Sequence, residues 1–296
     1  MALRSKQLHF RGPFCRQKWP FRNTVIDYIT KTPSNAKAWQ KLIQSCKYFF
    51  AKNQIFVIEE LCFTRDYRIK LSMNGFEKPF DIAKVPCKLW INQIFHFPYF
   101  ISLIIPKIYR CDVKFLRFYH QTISFDAFLF LSSNVEIIEL EFVTVENQNG
   151  SIVPLEKLVE ILPKIKEIKY YDSHTSFPIT SNTVQELLGI QHFSKINEIE
   201  IKGLTETFDI QSFFGYLKEN KHTCFQLLFD SSISQPFKIC LEKIIDEIIE
   251  IETHDYKPPY IYFFGLAYDK MNKMLKIFCQ SSPQHFKRLT AKIFCR

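Results

Sequence analysis

The chain has 296 residues, 47% of them hydrophobic and 23% charged, enough apolar material for one large domain or a small one docked on a larger, and too much for wholesale disorder. Seven glycines and no GxGxxG or GxxxxGK[ST] run leave no phosphate-cradling loop, so nucleotide-binding classes lose their footing. The net charge of +9 sits at the two ends: residues 1–22 carry six basic residues and no acidic one, and residues 266–296 carry seven basic residues with Asp269. The middle is therefore slightly acidic. That weighs against nucleic acid as a partner and leaves the ends as solvated tails or as contacts to a membrane surface or nucleic acid.

In chain order, residues 1–18 read as a basic arm without the continuous apolar run of a signal peptide. From Trp19 the pattern turns helical, with Phe21, Val25, Ile26 and Ile29 on one face; Thr32-Pro33 ends that helix. Ser34-Asn35 offers caps for a second helix that turns Trp39, Leu42, Ile43 and Cys46 inward. Residues 55–63 read as a strand or short buried element. Tyr67, Ile69 and Leu71 alternate before Asn74-Gly75 and Phe76, which predicts a hairpin. Residues 89–109 are the most apolar stretch; Asn92, Gln93, His96, Pro98, Pro106 and Lys107 interrupt it, so a buried core helix is expected and no membrane span.

Beyond residue 110 one pattern recurs: apolar-x-x-apolar-x-apolar. Its copies are Val113/Leu116/Phe118, Ile137/Leu140/Phe142, Ile165/Ile168/Tyr170, Ile196/Ile199/Ile201, Cys224/Leu227/Phe229 and Pro258/Ile261/Phe263, spaced by 24 to 34 residues. Helical segments at 125–131, 155–162, 184–190, 210–217 and 237–249 fill the spacers. A strand-plus-helix unit at this period predicts an α/β fold with a parallel sheet, an irregular leucine-rich-repeat-like solenoid. The asparagine of standard leucine-rich repeats is replaced by Gln121, Val145, Ser173, Leu204 and Ser232, so irregular curvature is expected. A terminal helix at 271–279 and a basic tail close the chain. It divides into the arm (1–18), a helical module (19–52), a connector and cap (53–110), strand/helix repeats (111–266) and a C-terminal basic helix and tail (267–296).

In such repeats the residues between the inward positions face the concave surface. Arg117, Glu141, Lys169, Glu200, Leu228 and Tyr262 are the candidate target-binding row, flanked by Phe115, Glu139, Glu167, Glu198, Gln226, Tyr119, Val143, Tyr171, Lys202 and Asp230. Mixed charge and several aromatics suit a protein partner better than a phosphate backbone. They equally suit ordinary solvated strands. Nine cysteines without a CxxC pair suggest a reducing cytoplasmic or nuclear setting, and no spacing supports a metal site. No HExxH, GxSxG or SxxK occurs, His120 and His174 read as surface residues, and the carboxylates of 155–161 and 242–250 lie beside lysines as solvated helix faces. Neither a catalytic constellation nor a cofactor is indicated.

The stretch from Trp19 to Phe50 resembles an F-box. Trp19-Pro20 stands at the family's opening Leu-Pro, Val25 and Ile29 lie on its helix, and Leu42 with Ser45-Cys46-Lys47-Tyr48-Phe49 stands at its closing motif. With the later repeats, the layout is similar to the nematode F-box protein families. The resemblance implies a substrate receptor of a cullin-based (SCF-type) ubiquitin ligase. A Skp-type adaptor, and through it a cullin, would be bound by Pro20, Val25, Ile26, Ile29, Leu42, Cys46 and Phe49, and an unknown target protein by the repeats. The alternatives are a helical cap that binds no adaptor, a general interaction scaffold, or a nucleic-acid-associated protein.

Overall fold

A computed structural model of the chain describes residues 20–64, 68–99, 101–171 and 179–281. The basic arm, Trp19, Tyr67, Ser173, His174 and the tail from residue 282 lie outside these residues.

Three helices come first: α1 (Asn23–Lys31), α2 (Ala36–Ser45) and α3 (Lys47–Lys52). The break between the first two falls at Thr32-Pro33, and the Asn35 side chain accepts the Ala38 N–H at 2.9 Å to start α2. The inward stripe of α1 is Ile26 and Thr30, while Val25 is 41% exposed, so the helix is rotated from the expected Phe21/Val25 face. The Thr30 hydroxyl donates back to the Ile26 carbonyl at 2.6 Å, which lets a polar residue sit inside. Trp39 lies at the centre of this small core, 1% exposed, and its indole N–H donates to the Ile55 carbonyl at 3.0 Å. That bond ties the helical module to the sheet.

The sheet begins with β1 (Ile55–Phe63), then the hairpin β2 (Ile69–Met73) and β3 (Phe76–Pro79). Asn74 and Gly75 close the hairpin with φ of 51° and 76°, the left-handed pair that a type I′ turn requires. Residues 89–109, expected as a core helix, instead form β4 (Lys88–Phe97), two short 3-10 turns and β5 (Ile108–Cys111). A parallel strand buried on both faces is a continuous apolar run, and periodicity alone does not separate it from a buried helix. The stretch from 53 to 110 is thus part of the sheet itself.

The repeats follow: β6 (Phe115–Ser124), α4 (Phe125–Ser132), β7 (Ile137–Glu146), α5 (Leu155–Glu160), β8 (Glu167–Tyr171), α6 (Thr183–Gly189), β9 (Glu198–Leu204), α7 (Ile210–Glu219), β10 (Cys224–Phe229), α8 (Gln235–Glu250), β11 (Tyr260–Tyr262) and α9 (Tyr268–Ser281). All strands belong to one 11-stranded sheet, and from β6 to β11 each strand lies parallel beside the next in chain order. The result is a mixed α/β fold with a largely parallel open sheet. Helix starts are set locally: Ser124, Asp209 and Ser234 accept N–H groups at the heads of α4, α7 and α8.

Register corrects the repeat frame. Leu116 aligns across the strands with Ile138, Ile168, Ile199 and Phe225, and Phe118 with Leu140, Tyr170, Ile201, Leu227 and Ile261. In β7, β10 and β11 the pattern read from sequence is therefore two residues late. A two-residue slip keeps every side chain on its face, so alternation alone does not expose it. Phe142 nevertheless leaves the core, 36% exposed, because the backbone turns left-handed there with φ of 56°; Phe229 and Phe263, at the same place in the pattern, stay buried.

Two apolar clusters lie on opposite sides of the sheet. The larger joins Leu116, Phe118, Ile138 and their equivalents to Phe128, Leu158, Leu187, Phe213, Ile245 and Met274 of the helices. The smaller joins Ile26, Trp39 and Phe49 to Ile55, Val57 and Trp90. Ile58, Leu89 and Ile91 belong to the first and their chain neighbours Val57 and Trp90 to the second, which places the helical module on the face opposite α4–α9. Among the described residues no helix is long and apolar enough to cross a membrane.

Candidate functional site: an open sheet face and an uncovered helix

On the face opposite α4–α9, beyond the helical module, the strands carry polar side chains. One row crosses the sheet as His96, Arg117, Glu139, Lys169, Glu200 and Gln226; at its edge register places Tyr260, whose ring instead packs on Phe278 of α9, centroids 6.0 Å apart. Two residues further along the strands a second row reads Tyr119, Glu141, Tyr171, Lys202, Leu228 and Tyr262. The residues picked from sequence fall into both: Arg117, Lys169 and Glu200 in the first, Glu141, Leu228 and Tyr262 in the second. The frame slip explains the mixture.

Neighbouring strands bring these charges into contact. Arg117 Nε lies 2.8 Å from Glu139, and Lys169 Nζ lies 3.0 Å from the other oxygen of the same carboxylate. The Arg117 guanidinium is also 3.9 Å from Glu141 and stands 4.4 Å above the Tyr119 ring. Lys202 lies 2.9 Å from Glu200 and 3.9 Å from the centre of the Tyr171 ring. Burial alone would lower the Lys169 amine, but the carboxylates of Glu139, Glu198 and Glu200 outweigh it and hold it above the usual lysine value. Burial, followed by the charge of Glu200, pushes the Tyr171 phenol up. Burial, reinforced by Arg117, moves His96 the other way, toward the neutral imidazole. Each cation on this face is thus engaged by a carboxylate or a ring.

At the strand starts a second ladder runs along the sheet. Glu136 accepts Lys114 and Lys166, both at 2.6 Å, and these two lysines hold its carboxyl at about 2. In place of an asparagine ladder, the turns use such side chains together with Asn134, which donates to Asp112 at 3.0 Å and accepts from Lys164 at 2.6 Å.

The helical module presents a different surface. Of the predicted adaptor-binding residues, Pro20 and Val25 are exposed, Ile29, Leu42 and Cys46 are half-buried, and Ile26 and Phe49 are buried. Ile26 and Phe49 therefore hold the module together. Cys46 Sγ accepts the Tyr48 N–H at 3.4 Å and caps α3. Beside Val25, Phe21 is 60% and Tyr28 72% exposed, so three large apolar side chains point to solvent from and just before α1. Tyr28 is the residue that sequence reading passed over; its 4-and-3 spacing from Phe21 through Val25 was the available signal.

No known family model matches the chain, and comparison with curated proteins finds no match. Among the described residues no group of three or more His, Cys, Asp or Glu side chains is placed to hold a metal ion. One surface groove of about 440 Å³, between α5 and α6, is open and lined by Glu156, Glu186 and His192 among others. Its histidine meets the Val159 carbonyl at 3.0 Å, a packing contact.

Proposed function

We propose that this protein is a non-enzymatic receptor that joins two macromolecules: an adaptor on the helical module and a target protein on the open sheet face. By the resemblance of residues 19–50 to an F-box, the adaptor is a Skp-type subunit of a cullin-based ubiquitin ligase. The observation that carries this reading is the trio Phe21, Val25 and Tyr28, large apolar side chains exposed on a module whose inward side chains already pack against the sheet. Exposed apolar groups clustered on one helix mark interaction surfaces. The sheet adds a second, chemically distinct surface whose ordered charges and rings fit a protein partner. Alternate strands of positive and negative charge fit no polyanion.

The direct test is binding of a purified Skp-type adaptor to the full chain by calorimetry. The wild-type protein binds, and Val25→Asp, which changes an exposed side chain, removes binding while the circular dichroism spectrum is unchanged. Equal affinity of wild type and variant refutes the assignment of α1 as the adaptor surface.

A further inference from the structure

Three exposed rings form a column next to open-face positions: Tyr99 shortly after β4, His120 directly after Tyr119, and Phe142 directly after Glu141. Tyr99 stacks on His120 with centroids 6.0 Å apart and an interplanar angle of 20°, and His120 stacks on Phe142 at 4.7 Å and 28°. All three are substantially exposed: Tyr99 42%, Phe142 36%, and His120 on the surface as well. His120 and Phe142 have φ of 43° and 56°, the left-handed region that L side chains rarely adopt. The same place in β9 is taken by Gly203, with φ of 80°. Glycine meets this backbone requirement without strain. Two repeats nevertheless hold bulky rings there. Strain retained at an exposed position points to use of the side chain.

The chemistry beside the column indicates what it receives. One residue before each strained position stand Tyr119 and Glu141. There the chain places its own Arg117 guanidinium over the Tyr119 ring, 2.8 Å from Glu139 and 3.9 Å from Glu141. Across β6–β10 the two rows and the positions two residues before the first of them hold the carboxylates of Glu139, Glu141, Glu167, Glu198 and Glu200 against three cations, Arg117, Lys169 and Lys202. The face is thus acidic within a protein of net charge +9. A planar, delocalised cation satisfies ring and carboxylate together, which an ammonium does less well.

We propose that the open face recognises a basic, arginine-bearing segment of the target protein, with Tyr99, His120 and Phe142 as the stacking anchor for a guanidinium. This deepens the receptor reading above and rests on it for the role of the face. The probe is a fluorescein-labelled Gly-Ser peptide carrying several arginines. Its lysine counterpart and a single-stranded RNA of similar length are compared with it by anisotropy on the full chain.

The arginine peptide binds about tenfold more tightly than the lysine peptide, and RNA does not bind. The double variant His120→Gly/Phe142→Gly keeps every carboxylate and relieves the backbone, so it weakens the arginine peptide about tenfold, to the level of the lysine peptide, without lowering the melting temperature. Tyr99→Ser, which removes an exposed ring from the end of the column, weakens it in the same direction and serves should the double variant prove unstable. Equal binding of the two peptides, preference for RNA, or full affinity in both variants overturns the proposal. Adaptor affinity measured on the same proteins separates the two readings: the arginine site fails alone if adaptor binding persists, and the receptor reading fails if wild type does not bind adaptor.

Discussion

Across five strands of the sheet, Leu116, Ile138, Ile168, Ile199 and Phe225 run in one row, each at most 4% exposed, while the residues immediately after them are Arg117, Glu139, Lys169, Glu200 and Gln226. The first row packs under α4–α9; the second lies on the opposite face, and Lys169, Glu200 and Gln226 are buried in it. Both rows are continuous and both are ordered by the same hydrogen-bonded ladder. They differ in what they contribute. Apolar burial stabilises in proportion to area, whereas a largely buried ion pair such as Lys169–Glu139 gains in Coulomb attraction much of what it loses in desolvation. The helix-covered row therefore sets the fold, and the open row can vary with little effect on it, which is the freedom a recognition surface needs.

The comparison breaks if the two rows prove energetically alike. The largest expected effect is on the covered side: Phe118→Ala, at a fully buried ring, lowers unfolding free energy by about 3–5 kcal/mol in urea titration. Trp39→Ala comes next, at about 3 kcal/mol, because it opens the small core and removes the bond to Ile55. Its loss is local: hydrogen exchange rises over α1–α3 while β7–β10 stay protected.

Lys169→Met tests the open row itself. It costs about 2 kcal/mol at neutral pH, because the pair is buried while Arg117 remains to neutralise Glu139. The Lys169 amine is held above the ordinary value of 10.5, so its contribution is complete below that pH and fades as pH rises beyond it. The difference between variant and wild type accordingly shrinks in alkali. A constant difference up to the alkaline limit contradicts the charge ladder.

The smallest effect concerns Tyr256, a buried ring near the end of the repeats whose hydroxyl has no hydrogen-bond partner among the described residues. Burial, then Glu247 and Asp255, pushes the phenol up from 10.0 to about 12. Tyr256→Phe changes stability at pH 7 by less than about 1 kcal/mol. A raised value means that the folded state holds the proton, so wild type loses stability from pH 10 upward through about 12, and the variant loses less over that window.

Much of the architecture was legible because repeats advertise themselves. The five inter-strand helices, the β2–β3 hairpin and the parallel order of β6–β11 all follow from patterns of burial and from Asn74-Gly75. Two things were not legible. Residues 89–109 carry apolar side chains for both faces of a buried strand, a composition shared with buried helices. The repeat frame in β7, β10 and β11 slipped because apolar residues occupy consecutive inward positions, Ile138 and Leu140 or Phe225 and Leu227, with nothing local to say which is the middle one.

For the site, residue types were readable and their grouping was not. Arg117, Lys169 and Glu200 share a row only once register is known, and the ring column depends on left-handed backbone at His120 and Phe142, which no residue preference announces for phenylalanine. On α1 the helical period was read correctly but its phase was not, since Thr30 turns inward on a bond to its own backbone.

The central claim is that two separate surfaces serve two separate partners. Quantitative co-purification from cells tests it most directly, comparing wild type with Val25→Asp/Tyr28→Asp on α1 and with Glu141→Lys/Leu228→Lys on the open face. The account predicts that the first variant loses the Skp-type adaptor and keeps the other captured proteins, while the second keeps the adaptor and loses them. Loss of both sets from either variant alone, or of neither from both, contradicts it.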